Sequence, residues 1–442
     1  MKPSAEQKRQ IAWQIMRSAL QAVDPEVAVN AYFEQNPALV TQIQESAGKL
    51  YVVGAGKASA PMAVAIEAIF GQKISAGQVI VKYGHELPLP TESTISLMTA
   101  AHPVPDQAGL TATRHLMDML QQTQADDTIL CLMSGGGSAL LTQPAEGLTL
   151  TDLQQTNQCL LGAGVPIHHI NGIRKHLSAV KGGRLAELAA PATLYSLILS
   201  DVVGDSLAVI ASGPTVPDPT NFDDAWRIIE QYQLRDQLPP AVVTHLQAGR
   251  AGMIPDTPKP NNPIFANSHS AIIGSNRIAA QAAVQSAQAL GFEAQLLTTY
   301  VEGEAREVAQ VMAGLAKGLA RDESTIKRPA CLVLGGETTV TIRGDGLGGR
   351  NQEMALAAAI TLQGWPNILI ACLGTDGNDG PTPAAGAFAD GETVAQAERL
   401  GLHAVEQLNR NNAYNFFNAI DDLIITGPTN TNVNDLIIIL VW

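Results

Sequence analysis

Residues Leu50–Ile69 read LYVVGAGKASAPMAVAIEAI: an unbroken apolar run, a Gly-Ala-Gly break carrying one lysine, and then an alanine-rich stretch. The first part lacks polar alternation, as expected of a strand in a parallel sheet covered by helices on both faces, and the second part reads as one of those helices. The same order recurs at TILCLMSGGGSALL (128–141), LYSLILSDVVGDSLAVIA (194–211), ACLVLGGETT (330–339) and NILIACLGTDGNDG (367–380), each apolar run ending abruptly in Gly, Ser or Asp. This repetition predicts an α/β fold: two three-layer α/β/α domains with mainly parallel sheets flanking a cleft. Between them, GRAGMIPDTPKPNNP (249–263) interrupts helix and strand patterns alike with four prolines and two adjacent asparagines. Such a stretch reads as a linker, giving an N-terminal domain over residues 1–250 and a C-terminal one over 263–442.

A chain of 442 residues, 46% apolar and only 15% charged, is long enough to bury two such cores. Its 27 basic against 41 acidic residues leave a net charge of -14, which repels polyanions and excludes nucleic acid as the expected partner. The N-terminal stretch carries Ile11, Ile15, Ala19 and Val23 at helical spacing, interrupted by Arg17, and is no signal peptide. The late apolar run LIIILVW has the length of a strand and is too short to span a bilayer. A cytoplasmic protein with no membrane partner is therefore expected. Cys131, Cys159, Cys331 and Cys372 lie far apart without a CxxC pair and read as reduced thiols.

In an open parallel sheet, ligands bind beyond the carboxyl ends of the strands, where helix N-termini present free N–H groups to anions. Five punctuated loops would share that edge. In VVGAGKAS neither familiar nucleotide motif is complete: a P-loop would need glycine at Tyr51 and Ser or Thr at Ala58, and the dinucleotide fingerprint that begins at Gly54 and Gly56 meets Ser59 at its last position. What is left is Lys57, the only charge between Leu50 and Ile66, at the start of a helix, where it suits a phosphate group better than a solvated surface. Ser134, Gly135, Gly136, Gly137 and Ser138 form a composition suited to a backbone anion nest. In NGIRKHLSAVKGGRLAE a helix starting near Asn171 would place Arg174 and Lys181 two turns apart on one face and stop at Gly182 and Gly183, making a local positive wall for an anionic substrate.

Residues 335–353, GGETTVTIRGDGLGGRNQE, concentrate glycines around Arg343 and Arg350. Such clustering is expected where backbone must turn through positive φ or approach a ligand closely. Gly336, Glu337, Thr338 and Asn351 are its other candidate ligand contacts. Acids follow strands at Asp201 and Asp205 and again at Asp376 and Asp379. The second pair lacks the spacing of a calcium loop, since Gly380 and the absence of a twelfth-position Glu break it; magnesium held with substrate phosphates suits such acids better. No GxSxG elbow surrounds Ser134 or Ser138, and no motif links any of the nine histidines to them, so hydrolase chemistry is a weak reading.

The ordered series VGAGKAS, SGGGSALL, NGIRKHLSAVKGGRLA, SDVVGDSLAVIASGPTVPD, GGETTVTIRGDGLGGRNQEMAL and GTDGNDGPTPAAGA resembles the glycerate 2-kinases that carry a C-terminal leucine-rich multi-organism fragment domain. The resemblance spans nearly the whole chain. It implies transfer of the ATP γ-phosphoryl group to the C2 hydroxyl of D-glycerate, giving 2-phosphoglycerate, with Mg2+ as a cofactor. The family's proposed catalytic pair falls on Lys57 and Arg350; Asp201 and Asp205, from their place after a strand, are the candidates for base or magnesium ligand. D-glycerate and ATP are then the small-molecule partners, and self-association into a homo-oligomer stays open. Some relatives are labelled hydroxypyruvate reductase, which makes NAD(P)H-dependent reduction the alternative.

Overall fold

The protein is described by a computed structural model covering residues 3–442. Its described residues form two compact units: Pro25–Ile273, and Gly274–Trp442 together with the N-terminal segment through Asp24.

The Pro25–Ile273 unit is built on a six-stranded sheet. Its strands are β1 (Leu50–Ala55), β2 (Ile74–Lys82), β3 (Ile95–Ala100), β4 (Thr128–Met133), β5 (Thr193–Leu199) and β6 (Ser268–Gly274). The spatial order is β3-β2-β1-β4-β5-β6, and β1 to β5 pair in parallel. This is the doubly wound order whose direction of winding reverses between β1 and β4, so the loops leaving those two strands part to opposite faces of the sheet. On one face Tyr51, Val53, Ile129 and Cys131 pack with Ala112, Leu116 and Leu120 of the Gln107–Leu120 helix. A separate helical cluster holds Ile170, Ile173, Trp226, Ile229 and Leu246 in its own apolar centre.

The 249–263 stretch lies inside this unit, and the division between units falls at Ile273 instead. Polar ties hold the stretch in place. Asp218 N–H donates to Pro258 O (3.0 Å), Thr257 Oγ1 donates to Asp218 (2.9 Å), and His176 Nε2 donates to Asp256 (3.0 Å). Proline density marks an anchored loop here because its lost donors are replaced by side-chain partners.

The second unit contains β7 (Glu293–Glu304), β8 (Ala330–Thr339), β9 (Ile368–Gly374), β10 (Gly386–Asp390), β11 (Leu423–Ile424) and β12 (Asp435–Val441), in the order β11-β10-β9-β12-β8-β7. Only β7 and β8 pair in parallel; β12 runs antiparallel to both β8 and β9, and β10 antiparallel to β9 and β11. The expectation of a mainly parallel sheet therefore holds for the first unit and is corrected for the second. An all-apolar run such as Leu436–Val441 is buried on both faces in either direction, so its composition carries no sign of its polarity.

The Ala5–Ala22 helix starts at a Ser4/Gln7 capping box and turns Ala12, Ile15, Met16 and Ala19 inward. It packs beside the Asn276–Ala289 helix, whose buried residues are also small, and Ser18 and Ser286 join their hydroxyls at 3.1 Å. Arg9 is fixed to Asp422 (2.7 Å). These contacts assign the N-terminal helix to the second unit, although the chain enters the first unit at Pro25. The four cysteines are free thiols, three of them buried.

Candidate active site

β1 and β4 are neighbours at the winding reversal, and the first residues after them touch above the sheet edge before their chains part to opposite faces. Lys57 N–H donates to Gly135 O (2.9 Å), and Ala58 N–H donates to Ser134 Oγ (3.0 Å). Ser59, at the place of the missing third glycine, donates its hydroxyl to Leu132 O (3.0 Å) and lies 3.2 Å from Ser134 Oγ. Both serines are buried and bind protein groups, so Ser134 fastens the two loops together. Gly56, at φ 154°, could not carry a side chain, because a Cβ there would lie 2.0 Å from Ser134 Oγ. Gly54 sits within β1, where a Cβ would meet Leu132 O at 2.4 Å; its role is strand packing. Gly136 is left-handed (φ 84°) and opens a single helical turn, Gly137–Leu140.

Around Lys57 lie two histidines that no sequence motif singled out. His85 Nδ1 donates to Lys57 O (3.2 Å), and the His102 ring stands where a Cβ on Gly136 would be 3.1 Å from its Cδ2, with Lys57 Cγ at 3.4 Å from the same point. Burial and then the charges of Lys57, Lys82 and His85 push the His102 pKa down to about 4, so its ring is neutral beside the lysine. The signal for both residues is positional: each follows a strand at the carboxyl edge, β2 before His85 and β3 before His102. Asp201 follows β5 and packs on Gly135, where a Cβ would approach its Oδ2 to 2.2 Å. Asp205 has left-handed backbone (φ 54°) and donates its N–H to Val202 O (3.0 Å), the arrangement of a turn former.

The helix expected from Asn171 to Gly183 is instead Ile167–His176. After it the backbone pairs with another segment: Ala145 N–H donates to Leu177 O and Ala179 N–H to Gln143 O, each at 2.9 Å. Arg174 is thus helical and Lys181 is not. Tertiary folding still leaves them within electrostatic reach: burial first, and then the charge of Arg174, lowers the Lys181 pKa. Lys181 Nζ donates to Leu141 O (2.6 Å), and Arg174 Nε donates to Asn157 Oδ1 (2.7 Å). Asn171 Oδ1 accepts from Ser212 Oγ (3.1 Å), which lies 2.9 Å from Ser138 Oγ. Ser212 belongs to three successive left-handed residues, Ala211 (φ 49°), Ser212 (φ 63°) and Gly213 (φ 59°). For the two non-glycine residues this conformation costs on the order of 1 kcal/mol each. It is held by Gly182 N–H to Ser212 O (3.0 Å) and Gly183 N–H to Gly213 O (2.8 Å).

In the second unit, Arg350 is the first residue of the Arg350–Leu362 helix. Its guanidinium binds Asp435 through Nε (2.6 Å) and Nη2 (3.0 Å), and Glu337 through Nη1 (2.9 Å). Burial works against its charge, but Asp435 and Glu337 more than offset this and raise its pKa. Asp435 is the residue sequence reading missed. It stands at the amino end of β12, and because that strand runs antiparallel, it pairs with Gly336 of β8 and Gly374 of β9 near their carboxyl ends. Asn351 Nδ2 donates to Asp435 (3.0 Å), and Asn434 Nδ2 to Glu337 (3.2 Å).

Asp379 accepts from the N–H groups of Asn351 (3.1 Å) and Gln352 (2.8 Å), capping the same helix from outside it. Burial pushes its pKa up to about 6 against those two hydrogen bonds. Gly349 leaves room for this cap, since a Cβ there would lie 2.3 Å from Asp379 Cγ. Asp376 accepts from Asn378 N–H (3.1 Å) in a local turn. Thr338 and Asn351 are buried, and Thr338 Oγ1 and Asn351 Oδ1 lack a hydrogen-bond partner among the described residues.

A doubly wound sheet with a lysine loop at its switch point, joined to a mixed sheet with an arginine at a helix start, is here the DUF4147–MOFRL architecture. The profile of the domain of unknown function DUF4147 matches residues 11–247, and that of the MOFRL family matches 330–435. A glycerate 2-kinase of Pyrococcus horikoshii is 40% identical over 437 residues, covering 98% of this chain and 97% of that protein. The crystal structure of a glycerate kinase from Thermotoga maritima superposes with a TM-score of 0.90 at 39% identity, covering 99% of this chain and 100% of that one. A protein of Agrobacterium vitis with a provisional hydroxypyruvate reductase name is 41% identical over 396 residues, 89% of this chain and all of its own. The chain belongs to the glycerate kinase family.

Proposed function

We propose that the protein transfers the γ-phosphoryl group of ATP to the C2 hydroxyl of D-glycerate, giving 2-phosphoglycerate and ADP. The observation that carries this reading is the Lys57 loop, a cation clasped to a glycine nest at the switch point of a doubly wound sheet, in a chain similar over its length to glycerate kinases. Phosphoryl transfer needs mainly positioning and cationic stabilisation of spreading negative charge, which a lysine, an arginine and backbone N–H groups can supply. Lys57 and Arg350 are the cations that bear on the transferred group. Gly135, Gly136 and Gly137 offer backbone to it, and Asn171, Arg174, Ser138 and Lys181 face the acceptor.

Among the described residues no group of three or more His, Cys, Asp or Glu gathers to hold a metal. That suits magnesium carried on the nucleotide phosphates, an ion that keeps several waters and takes one or two carboxylates. We assign Asp201, which packs on Gly135, as the carboxylate that would hold it, whereas Asp205 serves the turn. When bound, the ion offsets charge on the phosphoryl oxygens. No helix among the described residues is long and apolar enough to cross a membrane, and the proposed reaction with ATP belongs in the cytoplasm.

The reductase reading is favoured by one provisional relative's name and disfavoured by Ser59, which fills the space a dinucleotide fingerprint keeps for glycine. An ADP-release assay with D-glycerate, run beside an NADH absorbance assay with hydroxypyruvate, decides between them. Glycerate-dependent ADP release without NADH oxidation is expected; NADH oxidation without ADP release would reverse the assignment.

A further inference from the structure

Two buried cations face a carboxylate, Lys175 with Asp218 (3.1 Å) and Arg306 with Glu353 (2.6 Å), as do the partly exposed Arg9, with Asp422 (2.7 Å), and Arg350, with Asp435 (2.6 Å). Arg174 and Lys181 break the pattern. Lys181 is 5% exposed, and among the described residues the charged neighbour that bears on it is Arg174, another cation. For Arg174 itself, burial alone bears on the charge. Their polar partners are neutral, the carbonyl of Leu141 and the side-chain oxygen of Asn157. Two cations within electrostatic reach, the lysine buried and the arginine partly so, repel each other and lose hydration without return, and an acidic protein had carboxylates to spare. An arrangement of this kind is stable when an anion completes it.

We propose that Arg174 and Lys181 form the subsite for the carboxylate of the acceptor hydroxy acid, with the Ser138–Ser212–Asn171 chain reading its hydroxyl groups. The proposal rests on the kinase reading above and names which end of the acceptor lies where. Nε of Arg174 is spent on Asn157, which leaves the two terminal nitrogens of the fork for bidentate contact with a carboxylate. Lys181 spends one donor on Leu141 O and has others left. The hydroxyls and amide beside them are neutral and match alcohol groups. Lys57 lies at the other end of the glycine loop, past Gly136 and Gly137, which separates the phosphoryl end from the carboxylate end.

A consequence is proton coupling. Burial first, and then the charge of Arg174, pushes the Lys181 pKa down to about 7. The Lys175–Asp218 pair lies against Gly182 and is already internally matched; Arg184 begins the next helix and donates to Pro255 O (3.2 Å). A carboxylate seated against Lys181 favours its charged form and raises the pKa. Above pH 7 the free protein must therefore take up a proton to bind the acid.

The test uses the full chain. Calorimetric titration of D-glycerate at pH 8, in two buffers of different ionisation enthalpy, should show uptake approaching one proton. The glycerate KM should be level below pH 7 and climb above it, and the methyl ester of D-glycerate should be a poor substrate. Lys181→Gln and Arg174→Gln should each raise the glycerate KM by about tenfold or more and leave the ATP KM within about twofold. Lys181→Arg should remove the climb above pH 7. A wild-type glycerate KM that is flat from pH 6 to 9, or equal use of the methyl ester, overturns the proposal even if the glutamine variants fail to fold. A rise in ATP KM instead of glycerate KM assigns the cations to the nucleotide and overturns it too. In all these outcomes glycerate phosphorylation by the wild type stands; loss of that activity would strike the kinase reading instead.

Discussion

Arg350 should have two separable roles, one holding the second unit together and one acting on the phosphoryl group. Asp435 is 2% exposed and receives two charge-assisted hydrogen bonds from the guanidinium. Breaking a buried pair by removing one partner costs about 3–5 kcal/mol, because the remaining charge is left without compensation. Here the arginine side chain is 32% exposed and Asn351 still donates to Asp435, so the lower end applies, about 3 kcal/mol for Arg350→Ala. For a unit of roughly 200 residues that corresponds to a Tm loss of about 6–12 °C. Burial raises the Asp435 pKa, with Arg350 and then Asn351 opposing it, so removing Arg350 raises it further. A carboxyl with a raised folded-state pKa contributes stability that is present at low pH and lost as pH climbs through that value, so the Tm deficit should be larger at pH 8 than at pH 5. Adding Asp435→Asn should restore most of the Tm, because no charge is left buried, while turnover stays down by about a hundredfold. Scanning calorimetry and steady-state kinetics on the three variants measure both roles. Equal Tm values for wild type and Arg350→Ala at pH 8 would refute the stability reasoning, and recovery of turnover in the double variant would reduce Arg350 to a structural residue.

Lys57→Ala should lower kcat by about a hundredfold, some 3 kcal/mol of transition-state stabilisation, with little change in Tm, since among the described residues no carboxylate is ion-paired with it. Ser212→Ala should raise the glycerate KM several-fold by cutting the link between Ser138 and Asn171; Ser212→Gly should do the same yet melt higher than Ser212→Ala, because glycine relieves about 1 kcal/mol of left-handed strain. Asp218→Ala should cost roughly 3–5 kcal/mol by stranding Lys175, visible as a large drop in Tm. Infrared difference spectra should show a carboxyl band titrating near pH 6 that disappears in Asp379→Asn; a band centred near pH 4 would contradict its desolvation.

The loop-bearing edges of the sheets are legible because each buried strand stops at residues that cannot continue it, which placed Lys57, the Ser134–Ser138 loop and Arg350 correctly at strand ends or helix starts. The polarity of β12 is not legible: Leu436–Val441 is buried throughout, and only pairing with β8 and β9 decides its direction. Asp435 was lost with it. The same limit hid the end of the Ile167–His176 helix, where pairing of residues 143–145 with 177–179 outcompetes continued helix in a sequence with no break before Gly182. Membership of the N-terminal helix in the second unit depends on small residues meeting Asn276–Ala289, more than 250 positions away. Such distant matching leaves no local trace.

Above all, this chain should phosphorylate the C2 hydroxyl of glycerate. Phosphorus NMR of ATP, magnesium, D-glycerate and the protein tests it most directly, because the phosphomonoester's coupling pattern reports which carbon bears it. The expected result is a signal coupled to a single carbinol proton, growing in step with ADP and absent without glycerate. A signal coupled to a methylene pair, or ADP appearing with inorganic phosphate whether or not glycerate is present, would contradict it.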